Sequence, residues 1–137
     1  GLPVFLTKNP GIYSGLMILQ YTAASLVSSN KQFSTPASTD SITSSNGQED
    51  HVSMGANGAN QLLNIINNVY DVLSIELISA CQAKEFNNYK TSKQVEKLIK
   101  KVRKLSKKVT KDRALYKDVK IISRFLKNQR YFIFKKS

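Results

Sequence analysis

The feature that most constrains the fold of this chain is a long apolar run at helical spacing from Ala59 to about Glu85. Apolar side chains recur there every three or four residues, which places them on one face of an α-helix. They are Leu62, Ile65, Ile66, Val69, Leu73, Leu77 and Ala80. Neighbours such as Leu63 and Ile75 widen the face, and a helix that is apolar on several sides is buried on several sides. The run therefore predicts a helix inside a bundle or an oligomer interface.

The sequence predicts further helices on both sides of this run. Ile12–Ser28 reads as a buried helix that is too short and too often interrupted by polar residues to cross a membrane. Thr91, followed by Gln94, resembles a capping box that starts a helix with one apolar stripe and one lysine face, running to Val109. Asp118 is expected to cap a last helix, on which Val119, Ile122, Phe125 and Leu126 face inward. The aromatic run 131–134 fits a strand or a docked tail.

Between the two buried helices lies a long segment, from Ser29 to about Asn57, without usable periodicity. Serine and threonine dominate it, and Pro36 and Gly47 interrupt it. Gly55 and Gly58, with two asparagines, predict a flexible hinge into the next helix. Loops of this length are uncommon in compact domains unless they are functional or disordered. The predicted fold class is therefore all-α, a long-helix bundle with a long functional loop between two buried helices.

Charge divides the chain near Tyr89. Residues 1–89 hold three lysines and six acids, whereas residues 90–137 hold eighteen basic residues and three acids. This shift predicts two regions, 1–89 with the helices and loop and 90–137 with the basic helices and tail. A basic region of this kind can bind nucleic acid or an anionic membrane. The stripe from Val95 to Val109 lacks interleaved aromatic residues for base stacking, so nucleic-acid binding is kept only as an alternative.

The chain has one cysteine, Cys81, which cannot form an internal disulfide. Nothing therefore favours a secreted fold held by disulfides. No basic region precedes a long apolar stretch near residue 1, so we expect no signal peptide and a cytoplasmic protein.

The densest polar cluster is the run from Gln48 to Gly55. It places an amide, two acids and the only histidine in four consecutive positions. Such a cluster is costly to desolvate unless each group has a partner, so it is either a structural knot or the edge of a site. Of the neighbours Glu49 and Asp50, one should face inward. An inward Glu49 could share a proton with an imidazole-like ligand, and the alternative is a buried salt bridge.

Other kinds of site receive little support. Metal ligands on a helix usually stand three or four residues apart, and Glu49, Asp50 and His51 are adjacent. With one histidine and one cysteine, we expect no metal site, and we expect His51 to be hydrogen-bonded to a neighbour. Gly55-Ala56-Asn57-Gly58 is too short for a phosphate loop, and no nucleophile triad can be assembled.

Several separate motifs over roughly residues 1–125 resemble, in order and spacing, the aromatic amino-acid ammonia-lyases. The motifs are Gly1-Leu2-Pro3, Phe5-Leu6, Asn9-Pro10-Gly11, Ser14-Gly15-Leu16-Met17-Ile18, Thr22-Ala23-Ala24, Ser29-Asn30-Lys31, Pro36-Ala37-Ser38, Gln48 to Gly55, Ala80-Cys81-Gln82 and Asp112-Arg113. Within that family, Gln-Glu-Asp-His-Val-Ser-Met is similar to the histidine ammonia-lyase form. The phenylalanine and tyrosine enzymes usually carry Asn-Gln-Asp there.

The resemblance implies an activity and roles for two residues. L-Histidine would be the substrate, deaminated to urocanate and ammonia. Glu49 would be the catalytic and substrate-binding residue, because a carboxylate can hydrogen-bond an imidazole N–H that a phenyl ring lacks. Gln48 would be the second substrate-binding residue. Asp50 and His51 would hold the loop.

The resemblance also implies a cofactor and partners. The family uses a methylidene-imidazolone (MIO) cyclised from an Ala-Ser-Gly, and no metal. This sequence has no Ala-Ser-Gly, since Leu26 follows Ala24-Ser25 and Thr39 follows Ala37-Ser38. We therefore expect a C-terminal portion that lines one wall of the active site and is inactive alone. Its expected partners are the N-terminal part of the lyase, further copies in a homotetramer, and no membrane. An inactive assembly piece remains an alternative.

Overall fold

The computed structural model describes residues 1–39 and 41–128. Four α-helices form: α1 (Met17–Phe33), α2 (Gly55–Lys84), α3 (Lys93–Leu105) and α4 (Tyr116–Asn128). Short 3-10 turns occupy Val4–Leu6, Ala37–Thr39 and Ser45–Gly47. No strand forms within the described ranges, which hold only two isolated β-bridges. The all-α prediction is confirmed, and the aromatic run 131–134 lies outside the described residues.

The chain divides into two compact units. The first comprises Gly1–Ala24 and residues 70–128, and the second comprises Ser25–Val69. The charge boundary near Tyr89 therefore falls inside the first unit. Every buried apolar side chain of the described residues lies in the first unit, and none lies in the second. They are Leu16, Leu19, Ile75, Ile78, Cys81, Val102, Val109, Leu115, Val119 and Ile122.

Helix α1 begins five residues later than predicted because a distant carboxylate organises its entry. Asp112 accepts hydrogen bonds from the backbone N–H groups of Ser14 at 2.9 Å and Gly15 at 3.0 Å. Gly15 has a φ of +56°, and a Cβ there would lie 2.4 Å from the carbonyl oxygen of Phe5. Only glycine tolerates this approach. The cap is supplied 98 positions along the chain, so local sequence does not show it.

The predicted burial of α1 and the predicted hinge before α2 were wrong for this chain. Only Leu19 is buried in α1. The helix continues through Asn30 to Phe33 despite its serines, and it ends shortly before Pro36, which disfavours helix in the preceding residue. Gly55 and Gly58 belong to α2 rather than to a flexible hinge. Within α2, the buried residues lie between Ser74 and Gln82.

Helices α3 and α4 pack together in the first unit, and both predicted N-caps were wrong. Ser92, not Thr91, caps α3, since its hydroxyl accepts a hydrogen bond from the backbone N–H of Val95. Asp118 lies in the first turn of α4 and is buried rather than capping it. The cap of α3 lies one residue from the predicted one because serine and threonine are both acceptable caps, whereas α4 begins two residues before Asp118.

The residues predicted to face inward are better buried on α4 than on α3. On α4, Val119 and Ile122 are buried, as predicted. On α3, Val102 is fully buried, but Val95 and Leu105 keep about two fifths of their surface exposed, at 44% and 39%. Residues 1–39 and 41–128 contain no helix with the length and apolar character needed to cross a membrane.

A buried glutamine joins three segments of the first unit. The Gln82 side-chain amide donates to the carbonyl oxygens of Leu6 at 3.2 Å and Val109 at 2.8 Å. Its oxygen accepts from the backbone N–H of Val109 at 3.1 Å and from Arg103 at 3.4 Å. Only 2% of Gln82 is exposed. One side chain of α2 thus satisfies backbone groups of the entry segment and of the link after α3.

A buried carboxylate performs a similar task at the start of α4. Asp118 accepts hydrogen bonds from both terminal nitrogens of Arg113, each at 2.7 Å, and from the Ser106 hydroxyl at 2.7 Å. The Arg113 guanidinium holds the pKa of Asp118 below its ordinary value, and the Ser106 hydroxyl acts in the same direction while burial opposes them. Ionised Asp118 is therefore part of the folded first unit.

We expect stability to fall in acid through Asp118. Because its pKa is lowered by folding, the unfolded chain binds the proton more readily, and the stabilisation is present above about pH 4 and lost below it. Urea unfolding between about pH 2 and pH 7 should show this loss, and Asp118→Asn should reduce the acid dependence while costing about 1–3 kcal/mol at neutral pH. Ser106→Ala should also lower the stability at neutral pH and reduce its acid dependence, but by smaller amounts. An unchanged acid dependence in Asp118→Asn would contradict this assignment.

Candidate functional site

The predicted site residues lie on a loop of the second unit that is held at two points. We call residues 41–54 the site loop. Ser44 and Glu49 form an antiparallel bridge, with the N–H of Ser44 donating to the carbonyl of Glu49 at 2.9 Å and the reverse bond at 3.2 Å. Further along, the Ser41 hydroxyl accepts from the N–H of Val52 at 2.7 Å and donates to its carbonyl at 3.3 Å. The backbone from 49 to 52 therefore runs back along residues 41–44.

A tight turn of unusual conformation makes this reversal. Ser45, Asn46 and Gly47 all have positive φ, at 54°, 55° and 87°. The N–H of Gly47 donates to the carbonyl of Ser44 at 3.1 Å, which closes the turn. Asn-Gly is a strong hairpin signal because both residue types tolerate left-handed backbone. Gly47 was predicted only to interrupt the segment, and neither the turn nor the hydrogen bonds of Ser41 to Val52 were predicted.

Glu49, the predicted catalytic residue, is exposed, and so are Gln48 and Asp50. The expectation that Glu49 or Asp50 turns inward is therefore not met within this chain. Among the described residues, the Glu49 carboxylate forms no ion pair or side-chain hydrogen bond. Its backbone is fixed by Ser44 while its side chain remains available, which is an arrangement that a ligand or another segment could complete.

The prediction that Asp50 and His51 hold the loop was wrong for the described residues. No side-chain hydrogen bond of either residue is found there, and both are exposed. Serine hydroxyl and backbone bonds hold the loop instead. The two sides of the loop lie close together. The Ser41 hydroxyl and the backbone groups of Ser44 therefore reach the returning backbone without a long side chain.

A groove of about 670 Å³ lies beside the site loop, within the second unit. The end of α1, the turn after it, the loop from His51 to Met54 and the first turns of α2 line it. Its walls combine the apolar Phe33, Val52 and Leu62 with the polar His51 and Gln61. Gln48 and Glu49 are not among the lining residues. The structure thus brings His51 to the groove and leaves the predicted substrate-binding pair outside it.

The basic region presents its lysines on one face of α3, as predicted. Lys93, Lys97, Lys100, Lys101 and Lys104 stand at helical spacing and are all exposed. Glu96 is the acidic residue of the first turn, and no aromatic residue occurs in the helix. Arg103, on the side facing α2, pairs with Glu85 at 3.2 Å. The face is a strong positive surface without the stacking groups of a single-strand binding site.

The metal-ligating residue types are scattered in the described part of the chain. Across residues 1–39 and 41–128, no group of three or more His, Cys, Asp or Glu side chains is placed to hold a metal ion. Cys81 is buried on α2, and burial raises the pKa of its thiol above the ordinary value, although Arg103 opposes this. The thiol is therefore protonated and acts as a small apolar group of the core.

Comparison with known proteins assigns the chain to a family. The model of the aromatic amino acid lyase family matches residues 1–104. The histidine ammonia-lyase of Macrococcus caseolyticus is 46% identical over 131 residues, which cover 95% of this chain and 26% of the relative. The histidine ammonia-lyase of Treponema denticola is 49% identical over 120 residues, covering 87% of this chain and 24% of the relative.

Solved structures give the same result. The histidine ammonia-lyase of Trypanosoma cruzi aligns with a TM-score of 0.87 and 41% identity, over 93% of this chain and 25% of its own. The tyrosine aminomutase of Streptomyces globisporus aligns with a TM-score of 0.87 and 31% identity over the same shares. This chain spans about a quarter of the length of these relatives. The resemblance to histidine ammonia-lyases is confirmed, and the chain belongs to the aromatic amino acid lyase family.

Proposed function

We propose that this chain is one portion of an enzyme that eliminates ammonia from L-histidine to give urocanate, and that its site loop forms one wall of the active site. The observation that carries the proposal is that Glu49 is fixed through its backbone while its side chain stays exposed. Its backbone is pinned by Ser44 at 2.9 and 3.2 Å, and its exposed carboxylate has no partner among residues 1–39 and 41–128. An acid held in place but left unpaired is suited to bind a ligand carried by another segment.

The chemistry of Glu49 supports histidine as the substrate rather than an amino acid with a phenyl side chain. A carboxylate accepts a hydrogen bond from an imidazole N–H, and a phenyl ring offers no such donor. The same group can take or return a proton at the substrate during elimination. Gln48, the preceding residue, is proposed as the second substrate contact because its amide can both donate and accept.

The residues of this chain cannot form the prosthetic group of the family. Methylidene-imidazolone supplies an electrophile and is made from Ala-Ser-Gly, which is absent from residues 1–137. The part of the active site that carries this group is therefore proposed to come from another segment. What this chain contributes in this proposal is Glu49 and Gln48, held at defined positions on the site loop.

Uncovered apolar surface supports assembly with further protein. On α2, the residues Leu62, Leu63, Ile66, Val69 and Leu73 keep between 41% and 58% of their surface exposed. The second unit has no fully buried side chain within its described residues. A contiguous apolar face of this kind marks a protein interface. We propose that the N-terminal part of the lyase and further copies, in a homotetramer, cover it.

A chimera tests the proposed function directly. The full chain would replace the matching residues of the Macrococcus caseolyticus histidine ammonia-lyase, and urocanate formation would be followed by its absorbance. We expect the chimera to convert histidine to urocanate and the isolated chain to give none. A chimera that assembles at the size of the parent enzyme and yet forms no urocanate would favour the inactive assembly piece and overturn the proposal.

A further inference from the structure

The turn before Glu49 contains three successive residues in a conformation that L-residues rarely adopt. Ser45, Asn46 and Gly47 have φ values of 54°, 55° and 87°. The chain enters from Ser44 in an extended conformation and leaves through Gln48 in a right-handed one. Left-handed residues normally occur singly, so a run of three is a demanding feature that the surrounding bonds must hold.

The hydrogen bonds of the turn link its shape to Glu49. Gly47 donates to the carbonyl of Ser44 at 3.1 Å, and Gln48 donates to the carbonyl of Ser45 at 3.2 Å. Two residues after Gly47, Glu49 closes the reversal through both backbone bonds with Ser44. The direction in which the Glu49 side chain leaves the backbone is therefore set by the three left-handed residues.

Glycine suits position 47 because of its backbone conformation and not because space is lacking. A Cβ built there meets no heavy atom within 4 Å. Alanine would therefore displace no neighbour, and its effect would come through the backbone angle alone. This separates a change in the direction of the loop from a change in packing.

We propose that Gly47 is a positioning residue for Glu49, which it serves by keeping the turn left-handed. The proposal rests on the proposed function of Glu49 and extends it to the backbone that presents the carboxylate. A catalytic carboxylate that is displaced even slightly from its productive position loses much of its effect, because proton transfer depends steeply on geometry.

Gly11 offers a matched control in the same chain. Its φ is +94°, and a Cβ there also meets nothing within 4 Å. It belongs to the first unit, in the turn where Ile12 and Tyr13 donate to the carbonyl of Asn9. Alanine at either glycine imposes the same kind of backbone strain without a clash, but only position 47 adjoins Glu49.

The experiment compares Gly47→Ala, Gly47→Asn and Gly11→Ala in the active chimera, with kcat, KM and thermal unfolding measured for each. We expect similar losses of thermal stability in the two alanine variants, but a drop in kcat of about tenfold or more only for Gly47→Ala. Asparagine tolerates left-handed backbone better than other residues, so Gly47→Asn should recover most of the activity.

A second comparison separates positioning from a general structural role. In a Glu49→Gln background, Gly47→Ala should have little further effect on kcat, since the group it positions is already gone. Equal kcat values for the two alanine variants, or a full further drop in the Glu49→Gln background, would overturn the positioning role. Failure of the proposed role of Glu49 would look different, because Glu49→Gln would then leave kcat unchanged.

Discussion

Glu49→Gln is expected to lower the rate of urocanate formation by the chimera by about 100-fold or more. The substitution keeps the size and hydrogen-bonding length of the side chain but removes its ability to accept a proton. Because the Glu49 side chain is exposed and forms no ion pair or side-chain hydrogen bond among the described residues, the change should leave folding and assembly intact. The measurement is kcat and KM for histidine, with assembly checked by size-exclusion chromatography.

Asp50→Asn provides the matched control for Glu49. Asp50 is the adjacent acid and is also exposed, so its replacement removes the same charge one position away. We expect Asp50→Asn to retain activity within a few-fold of the parent chimera, on the order of surface substitutions elsewhere. Equal losses in both variants would point to a general effect of loop charge and would remove Glu49 from its proposed role.

Gln82→Leu is expected to lower the free energy of unfolding of this chain by about 3 kcal/mol or more. Leucine fills a similar volume but leaves the carbonyl of Leu6 and both backbone groups of Val109 without the partner that Gln82 provides. An orphaned buried polar group costs about 1–3 kcal/mol, so several lost together exceed the effect of an ordinary substitution. Urea denaturation followed by circular dichroism measures the difference.

Gln20→Leu is the control for Gln82. Gln20 also lies within a helix of the first unit, but it is exposed. The same chemical change there should alter the free energy of unfolding by no more than about 0.5 kcal/mol. If Gln82→Leu were no more destabilising than Gln20→Leu, the three segments would not depend on this glutamine.

Periodicity predicted the helices well because helix formation is recorded in local sequence. The apolar spacing from Leu62 to Ala80 identified α2, and Val119 with Ile122 identified the buried side of α4. These patterns depend on side chains three and four positions apart, which share a helix face whatever the rest of the protein does. The bounds were less accurate, as at Ser92, because several neighbouring polar residues can each serve as a cap.

The site was only partly predictable for a related reason. The charge density of the run from Gln48 to Gly55, and its resemblance to the lyases, predicted a candidate site on this loop. The pattern did not reveal that Ser41 and Ser44 hold the returning backbone, or that His51 lines the groove while Glu49 stays outside it. Those facts depend on a chain reversal made by left-handed residues, and a polar loop carries no periodicity that reports it.

By itself, the sequence determined the helical class, the division of charge near Tyr89, and membership of a lyase family through motifs spread along the chain. The tertiary structure decided how distant groups meet: Asp112 at the entry to α1, Gln82 between the segments of Leu6 and Val109, and Asp118 between Ser106 and Arg113. Side-chain spacing within a helix is local, whereas a buried polar group takes whichever partner the fold brings within reach. Contacts between residues far apart in the chain therefore became visible only in three dimensions.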